Sequence, residues 1–218
     1  MQQIHLTAKE QGGTKDSTES TYPTCETVAA MSNVDVLAKN SVRNLVMPIS
    51  LAQYHALNAT GLIPQKTELI EGIIFRKMTK SPLHTYILNK LYRFFDDRLA
   101  KDYLLRKEDP LTLASSEPEP DISIVRGRLE DFMRAHPGSA ELVIEIAVSS
   151  LELDREKAAI YAGAGIPEYW IVIPADKIIE RYINPSAGCY QTHETIMQEQ
   201  TIGTLCGTLA LHDVFLQS

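Results

Sequence analysis

Two short apolar segments of this sequence each carry a carboxylate where a strand is normally buried. The first segment, PEPDISIV, contains Asp121, and the second, ELVIEIAV, contains Glu145. A buried carboxylate is costly unless a cation, a metal ion or a proton accompanies it. Two carboxylates in one site can bind a hard divalent cation such as Mg²⁺ through their oxygens. These residue types therefore favour metal-assisted chemistry on a phosphoryl group.

Both carboxylates also have a purely structural interpretation. Along the second segment, alternation places Glu145 between Val143 and Ala147 on one face, with apolar residues on the other face. A glutamate in a salt bridge at a strand end is the alternative for Glu145. For Asp121, which follows Pro120, the alternative is an ordinary Pro-Asp turn.

A lysine in the helix predicted after the second segment offers these carboxylates a cation. In SLELDREKAAIYAGAG, Lys157 lies four residues after Leu153 and four before Tyr161. This spacing places all three on the helix stripe that faces the core. A helix that follows a strand packs back against the sheet, so Lys157 is expected to converge with Glu145. The alternative is that Lys157 extends its ammonium group from the stripe into solvent. Asp154 is expected to pair with Lys157 or to cap the helix.

Two carboxylates and a lysine are the minimum set for hydrolysis of a phosphodiester bond. A bound metal ion polarises a phosphoryl oxygen and lowers the pKa of a bound water. The lysine orients that water, helps to deprotonate it, or stabilises the negative charge that develops. A glycoside hydrolase with paired carboxylates is a weaker alternative, because that chemistry leaves Lys157 without a role.

The elements that must position these residues follow one another in a mixed order. A helix is predicted between Ser50 and Gly61, then two short strands around a turn at Glu71-Gly72, then an amphipathic helix capped by Ser81. Over 84–106 this helix carries basic residues, either as a phosphate-contacting face or, in the favoured interpretation, as a solvated face of mixed charge. Strand-like segments in YLLRKEDPLTLA and DISIV, a short helix in RLEDFMRAHPG, the apolar strand AELVIEIAV and the lysine helix follow. This order predicts an α/β fold with a central mixed β-sheet flanked by α-helices.

Composition limits the domain organisation and the class of partner. Residues 1–45 are rich in Thr, Ser, Gln and Lys and predict a flexible N-terminal extension, followed by one domain over 46–218. The net charge of −7 argues against a protein that coats nucleic acid unspecifically, but it permits a local basic groove. No apolar run reaches the length of a membrane span, and no signal-peptide pattern is present. The three cysteines form no C-x-x-C pair and are expected as reduced thiols, so a cytoplasmic protein is predicted.

Together these segments resemble the Uma-type (Uma-two) restriction endonuclease family, a branch of the PD-(D/E)xK nuclease superfamily. The resemblance covers residues 47–216 and rests on the Pro-Asp segment, ELVIEI followed by Ser-Ser, the Asp-x-x-Lys pair and YAGAGIPEYWIV. It implies a restriction-endonuclease-like core and an endonuclease that hydrolyses DNA with Mg²⁺ or Mn²⁺. By analogy it also implies a homodimer, because nucleases of this class often cut two strands as a pair of subunits. A catalytically weak binding or regulatory protein with the same fold is the alternative.

Carried over residue by residue, the resemblance implies that Asp121 is the motif aspartate and Glu145 the second acidic metal ligand. Lys157 resembles the motif lysine moved from the strand to the following helix. The standard position of that lysine, two residues after the glutamate, is occupied here by Ala147. The resemblance therefore implies a catalytic set in which the lysine comes from the helix and not from the strand that carries Glu145.

Further positions extend the implied site. Glu68 in TELIEG matches the early acidic position of the family and completes the catalytic set, and His84 in SPLH matches a recurrent position that holds the site or a phosphate. Ile173 stands where the family usually has an aspartate, which implies a different turn there. Tyr169 and Trp170 offer a platform for stacked bases. Packing in the core is the favoured interpretation of this pair, because isoleucine and valine surround it.

Overall fold

The computed structural model describes residues 40–215, and contacts divide the chain into two units between Val46 and Met47. In the first unit, α1 (Asn40–Arg43) is a single helical turn. Most of the predicted extension over 1–45 lies outside the described residues, as does its segment TCETVAAMSNVDVLA, whose sequence could also form a short helix. The domain boundary placed after residue 45 therefore stays a prediction.

Within the described residues, the second unit contains three further α-helices and ten strands. The helices are α2 (Leu51–Ala59), α3 (Pro82–Asp96) and α4 (Leu151–Gly163). The strands are β1 (Thr67–Ile70), β2 (Ile73–Arg76), β3 (Tyr103–Lys107), β4 (Ile122–Arg126), β5 (Leu142–Ile146), β6 (Glu168–Ile173), β7 (Ile178–Ser186), β8 (Cys189–Met197), β9 (Thr201–Thr204) and β10 (Gly207–Ala210). No helix within residues 40–215 is long and apolar enough to cross a membrane.

Six strands form one central sheet in the order β3-β4-β5-β6-β7-β8. The neighbours β5 and β6 run parallel, and the other four neighbouring pairs run antiparallel. Helix α4 connects the parallel pair, because parallel strands need a long crossover connection. This arrangement confirms the predicted α/β fold with a central mixed sheet. The pairs β1–β2 and β9–β10 form two separate antiparallel hairpins.

The two faces of the central sheet bury different apolar clusters. Helix α3 packs on one face, where its Leu91 shares a cluster with Ile144 of β5. Helix α4 supplies Tyr161 to the other cluster, together with Val143 of β5. Successive residues of β5 therefore enter opposite faces, which confirms the predicted alternation. Glu145 belongs to the face that α4 covers.

Local signals placed the starts and turns of several elements correctly. Ser50 caps α2 with a capping box, since its Oγ accepts from Gln53 N at 3.2 Å. Ser81 caps α3 by accepting from His84 N at 3.1 Å. The turn at Glu71-Gly72 joins β1 to β2, and both turn residues have positive φ angles (47° and 78°), as short hairpin turns require.

The predicted helical span over 84–106 is wrong. Helix α3 ends at Asp96, and the segment Tyr103–Lys107 is strand β3, which pairs with β4. Apolar spacing continues beyond the helix to Leu99, but long-range strand pairing determines the backbone of the segment that follows. Arg106 is therefore buried in the sheet instead of standing on a basic helix face.

Two smaller differences concern a short helix and the C-terminal hairpin, whereas the described cysteines agree with the expected reduced thiols. The short helix predicted in RLEDFMRAHPG is only a 3₁₀ turn over Leu129–Phe132. The hairpin of β9 and β10 has no counterpart among the predicted elements, and a 3₁₀ turn follows it over Leu211–Asp213. Cys189 and Cys206 carry free thiols, and Cys25 lies outside the described residues.

Candidate active site

The two strand carboxylates lie side by side because β4 and β5 are neighbours in the sheet. Ile122 pairs with Ile144 in the antiparallel register, so Asp121 and Glu145 stand one position further along on the opposite face. Asp121 Oδ2 accepts from Ile146 N at 2.8 Å, and Glu145 Oε2 accepts from Asp121 N at 3.4 Å. The Pro-Asp segment is thus part of a paired site, and the simple turn proposed as its alternative does not describe it.

Helix α4 brings Lys157 to the same carboxylates. Its Nζ lies 3.0 Å from Glu145 Oε1 and 3.0 Å from Glu68 Oε1, and its side chain is only 4% exposed. Asp154 Oδ1 lies 3.6 Å away from the same Nζ. The ammonium group therefore points inward, and the alternative that it extends into solvent is wrong. Of the two roles predicted for Asp154, pairing with Lys157 is confirmed.

Glu68 enters this cluster from β1, which belongs to a different hairpin from the central sheet. Besides forming an ion pair with Lys157, its carboxylate accepts from Glu119 N, with Oε2 at 3.3 Å. Glu119 lies two residues before Asp121 in the Pro-rich approach to β4. Glu68 thus joins the lysine to the segment that carries the aspartate.

His84 lies in the first turn of α3 and contacts the cluster through Asp121. Its Nε2 donates to Asp121 Oδ2 at 3.0 Å. Its Nδ1 is buried and has no hydrogen-bond partner among the described residues. Of the two functions predicted for His84, holding the site agrees with this geometry.

The cluster brings four buried carboxyl groups close together, and ionising all of them without a further cation is costly. Burial raises the pKa of Glu145 to about 8, although Lys157 acts in the opposite direction. Burial also raises the pKa of Asp154. For Lys157, burial lowers the pKa, but the surrounding carboxylates, first Glu145 and then Glu68, outweigh burial, so the net pKa is raised. The lysine is therefore an ammonium ion, and a further cation would relieve the remaining repulsion.

Tyr161 contacts the site although no functional role was predicted for it. It lies one helical turn after Lys157, is fully buried, and its hydroxyl donates to Glu145 Oε1 at 3.1 Å. Burial, and then the charge of Glu145, raises its pKa, so the phenol stays protonated and continues to donate. Its position on the same stripe as Lys157 was the available signal, but a tyrosine there also fits simple core packing.

The cluster lines a cleft of about 160 Å³. Its buried lining carries four carboxylates and one ammonium group, from Glu68, Asp121, Glu145, Asp154 and Lys157. A fifth carboxylate, of the half-buried Glu119, pairs with Lys77. The segment 76–81 forms one part of its mouth, and residues 148–150 before α4 form another. Tyr169 and Trp170 do not line this cleft and are fully buried in the core, so the favoured packing interpretation is confirmed.

The donor set fits a divalent cation held by two protein ligands. Within residues 40–215, no group of three or more His, Cys, Asp or Glu side chains is placed to hold a metal ion. Mg²⁺ does not need such a group, because it keeps several waters and is bound by one or two carboxylates together with substrate phosphates. Asp121 and Glu145 provide two adjacent carboxylates in an acidic cleft, which is the chemistry that such an ion prefers.

A mixed sheet with helices on both faces and an acidic cleft beside two central strands defines a restriction-endonuclease-like protein. The sequence model that matches residues 51–211 is described as "Uma2: Putative restriction endonuclease", and the chain belongs to this family. Proteins of this class generally use divalent metals, and as nucleases they act on nucleic acid. No curated protein matches the chain.

A solved structure supports the fold independently. It is described as a "putative nuclease belonging to DUF820 from Anabaena variabilis ATCC 29413". The two structures align with a TM-score of 0.65 over 77% of this chain and 98% of that chain. Their sequences are only 18% identical, so the likeness establishes the fold and nothing finer.

Proposed function

We propose that this protein is a divalent-metal-dependent endonuclease that hydrolyses phosphodiester bonds in DNA. The observation that supports this most strongly is the convergence of Asp121, Glu145 and Lys157 in one cleft. Three different elements supply these residues, and hydrogen bonds connect them directly. Mg²⁺ is the proposed ion, and Mn²⁺ is the proposed substitute because it also suits carboxylate and water ligands.

In this proposal Asp121 and Glu145 hold the metal ion. When bound, the ion polarises a phosphoryl oxygen and lowers the pKa of a bound water. His84 orients Asp121 through its Nε2 hydrogen bond, and the backbone N–H of Ile146 holds the same oxygen from β5. These contacts restrict the aspartate to one rotamer before substrate arrives.

Lys157 acts as a fixed positive charge in this proposal. Its raised pKa argues against a base that takes a proton from water, so we assign its charge to stabilising negative charge on the phosphoryl group or to orienting the attacking water. Glu68 acts as a positioning residue, because its carboxylate holds the ammonium group from the side opposite Glu145.

The test is cleavage of supercoiled and linear DNA in Mg²⁺ and in Mn²⁺. Asp121→Asn and Glu145→Gln keep the shape of each side chain and remove its charge, so both variants are expected to lose cleavage. Glu130→Gln, an exposed carboxylate in the 3₁₀ turn, is the matched control and is expected to cleave normally. Cleavage that survives both site variants, or its absence from the wild type, would contradict the proposal.

The competing function is a binding or regulatory protein with weak or no catalysis. The absence of a three-ligand metal group among residues 40–215 favours it, as does the net charge of −7. Calorimetric titration with Mg²⁺ and Mn²⁺ separates the two functions. Binding that Asp121→Asn weakens supports the enzyme, whereas no binding at millimolar concentrations supports the competing function.

Two further expectations belong with this proposal. A homodimer would let two clefts act on the two strands of a duplex, and light scattering of the full chain with and without DNA tests it. A cytoplasmic location also stays a prediction, and fractionation of cells that express the chain tests it.

A further inference from the structure

The segment that runs from the end of β2 towards α3 is basic, whereas the cleft that it borders is acidic. Residues 76–80 read Arg-Lys-Met-Thr-Lys, so three cations fall within five residues of a chain whose net charge is −7. All five residues line the mouth of the cleft that contains Asp121 and Glu145. This segment, Arg76–Lys80, is called the rim loop below.

The three cations of the rim loop differ in their partners. Lys77 Nζ donates to Glu119 O at 3.0 Å and to Glu119 Oε2 at 2.7 Å, which anchors the loop beside the site. Lys80 forms an ion pair with Glu108. The exposed guanidinium of Arg76 forms no hydrogen bond or ion pair with any residue in 40–215. Arg76 is thus a positive group at the cleft mouth that is available to a ligand.

The rim loop also exposes an apolar side chain. Met78 is 64% exposed and follows Lys77, and Val148 is 45% exposed at another part of the same mouth. A single exposed methionine needs no functional explanation. Here a functional explanation is available, because Met78 lies between cations at the mouth of the proposed nuclease cleft. Nucleic acid presents apolar sugars and bases beside its phosphates.

The interior of the cleft makes a positive rim necessary for an anionic substrate. When a divalent ion holds these four carboxylates ionised, their negative charges exceed the positive charges of Lys157 and the ion, and this excess repels a phosphate strand. Phosphates on either side of the scissile bond therefore need cations outside the cluster. Within the described lining of the cleft, the cations besides Lys157 are Arg76, Lys77 and Lys80.

We propose that the rim loop is the DNA-binding element of this cleft. Arg76 and Lys80 bind phosphates that flank the scissile bond, and Met78 packs against sugars and bases of the same strand. This inference rests on the proposed nuclease function for the identity of the ligand. It assigns binding to residues outside the catalytic cluster.

Salt dependence of binding separates the phosphate contacts from the apolar contact. Each phosphate contact that is lost lowers the slope of log affinity against log salt by about one, whereas loss of an apolar contact leaves the slope unchanged. Arg76→Ala and Lys80→Ala are therefore each expected to weaken binding and to reduce the slope by about one. Met78→Ala is expected to weaken binding at an unchanged slope.

The measurement is fluorescence anisotropy of a labelled DNA duplex of mixed sequence with the full chain. Asp121→Asn serves as the common background in Mg²⁺, so that cleavage does not alter the probe. Arg134→Ala is the control, because Arg134 is exposed and does not line the cleft. Its slope is expected to equal that of the background protein.

Outcomes of this experiment are independent of the cleavage assay. If Arg76→Ala and Lys80→Ala keep the background slope, or if Arg134→Ala lowers it equally, the inference is overturned even where the wild type cleaves DNA. If both rim variants lower the slope and the control does not, the inference stands even where cleavage fails. The inference is also overturned if neither the Asp121→Asn protein in Mg²⁺ nor the wild type in Ca²⁺ binds the duplex.

Discussion

Lys157 Nζ lies 3.0 Å from Glu145 Oε1 and thereby connects helix α4 to strand β5 inside a buried cluster. The residue two positions after Glu145, Ala147, is buried on the same face of the sheet. A lysine on the helix therefore reaches the carboxylate that a lysine at Ala147 would have approached from the strand. That Lys157 is the motif lysine moved to a helix stays a prediction, and the contact shows that its ammonium group reaches the Glu145 carboxylate.

Replacement of Lys157 by methionine should destabilise the protein and remove cleavage. The carboxylates of Glu68, Glu145 and Asp154 would lose their shared cation, and breaking a buried ion pair costs about 3–5 kcal/mol. Cleavage should fall by about 100-fold or more, as expected for loss of a charge that stabilises the transition state. Denaturant unfolding and DNA cleavage measure the two effects.

Mg²⁺ should restore part of the stability that Lys157→Met loses, because a divalent ion supplies positive charge to the same carboxylates. The control is Lys66→Met, which changes an exposed lysine and should unfold like the wild type with or without Mg²⁺. An unfolding free energy of Lys157→Met equal to that of the wild type would show that the cluster does not depend on this ammonium group.

Tyr161→Phe should weaken metal binding by about tenfold, as loss of a hydrogen bond to a metal ligand typically does. The change removes the hydroxyl that donates to Glu145 Oε1 and leaves the ring in its buried position. Calorimetric titration with Mn²⁺ measures the affinity. Tyr169→Phe is the matched control, because its hydroxyl donates to the backbone carbonyl of Asp154 and not to a carboxylate. Equal metal affinities in the two variants would exclude a positioning role for Tyr161.

The ion pair between Arg155 of α4 and Glu180 of β7 should make the free energy of unfolding depend on pH in the acid range. Arg155 Nε lies 3.1 Å from Glu180 Oε2, and this hydrogen bond is the main reason that the pKa of Glu180 is lowered. On acidification the unfolded state binds the proton first. The stabilisation is therefore fully present above the ordinary glutamate pKa and is lost as the pH falls through the lowered pKa of the folded state.

Glu180→Gln should consequently unfold more easily than the wild type at neutral pH and show a shallower loss of stability in acid. Urea unfolding at a series of pH values measures this slope. Glu156→Gln serves as the control, since this exposed carboxylate of α4 forms no ion pair among residues 40–215. The expectation fails if Glu180→Gln and Glu156→Gln lose stability in acid with the same slope.

Gly72→Ala should destabilise the hairpin that carries Glu68 far more than Gly61→Ala destabilises the end of α2. Both glycines have similar positive φ angles, 78° and 68°, so each substitution carries a backbone cost of about 1–2 kcal/mol. At Gly72 the new Cβ would also collide with Pro48 Cβ, whereas at Gly61 it would meet nothing within 4 Å. Overpacking adds about 1–3 kcal/mol.

The measurement for this pair is thermal unfolding of both variants under identical conditions. The lower midpoint is expected for Gly72→Ala, together with reduced cleavage, because β1 positions Glu68 beside Lys157. Equal midpoints would mean that the chain at Pro48 moves away without cost and does not fix the hairpin.

Helix caps and the alternation of a strand were predictable because they depend only on residues that are close together in sequence. Ser50 and Ser81 cap helices through side chains that reach backbone groups three residues away. The alternation of β5 follows from strand geometry alone, and it placed Glu145 on the correct face. The end of α3 was not predictable in this way, because the pairing of β3 with β4, distant in sequence, overrides the helical spacing.

The sequence by itself determined which chemistry is available: two carboxylates in apolar strand segments and a lysine on a buried helix stripe. Only the tertiary structure decided which of these groups meet. It placed Glu68 of a separate hairpin against Lys157 and aimed the Tyr161 hydroxyl at Glu145. The physical reason is that hydrogen bonds and ion pairs depend on distances of a few ångströms between elements. Those distances follow from how the helices and strands pack, which no local pattern of residues encodes.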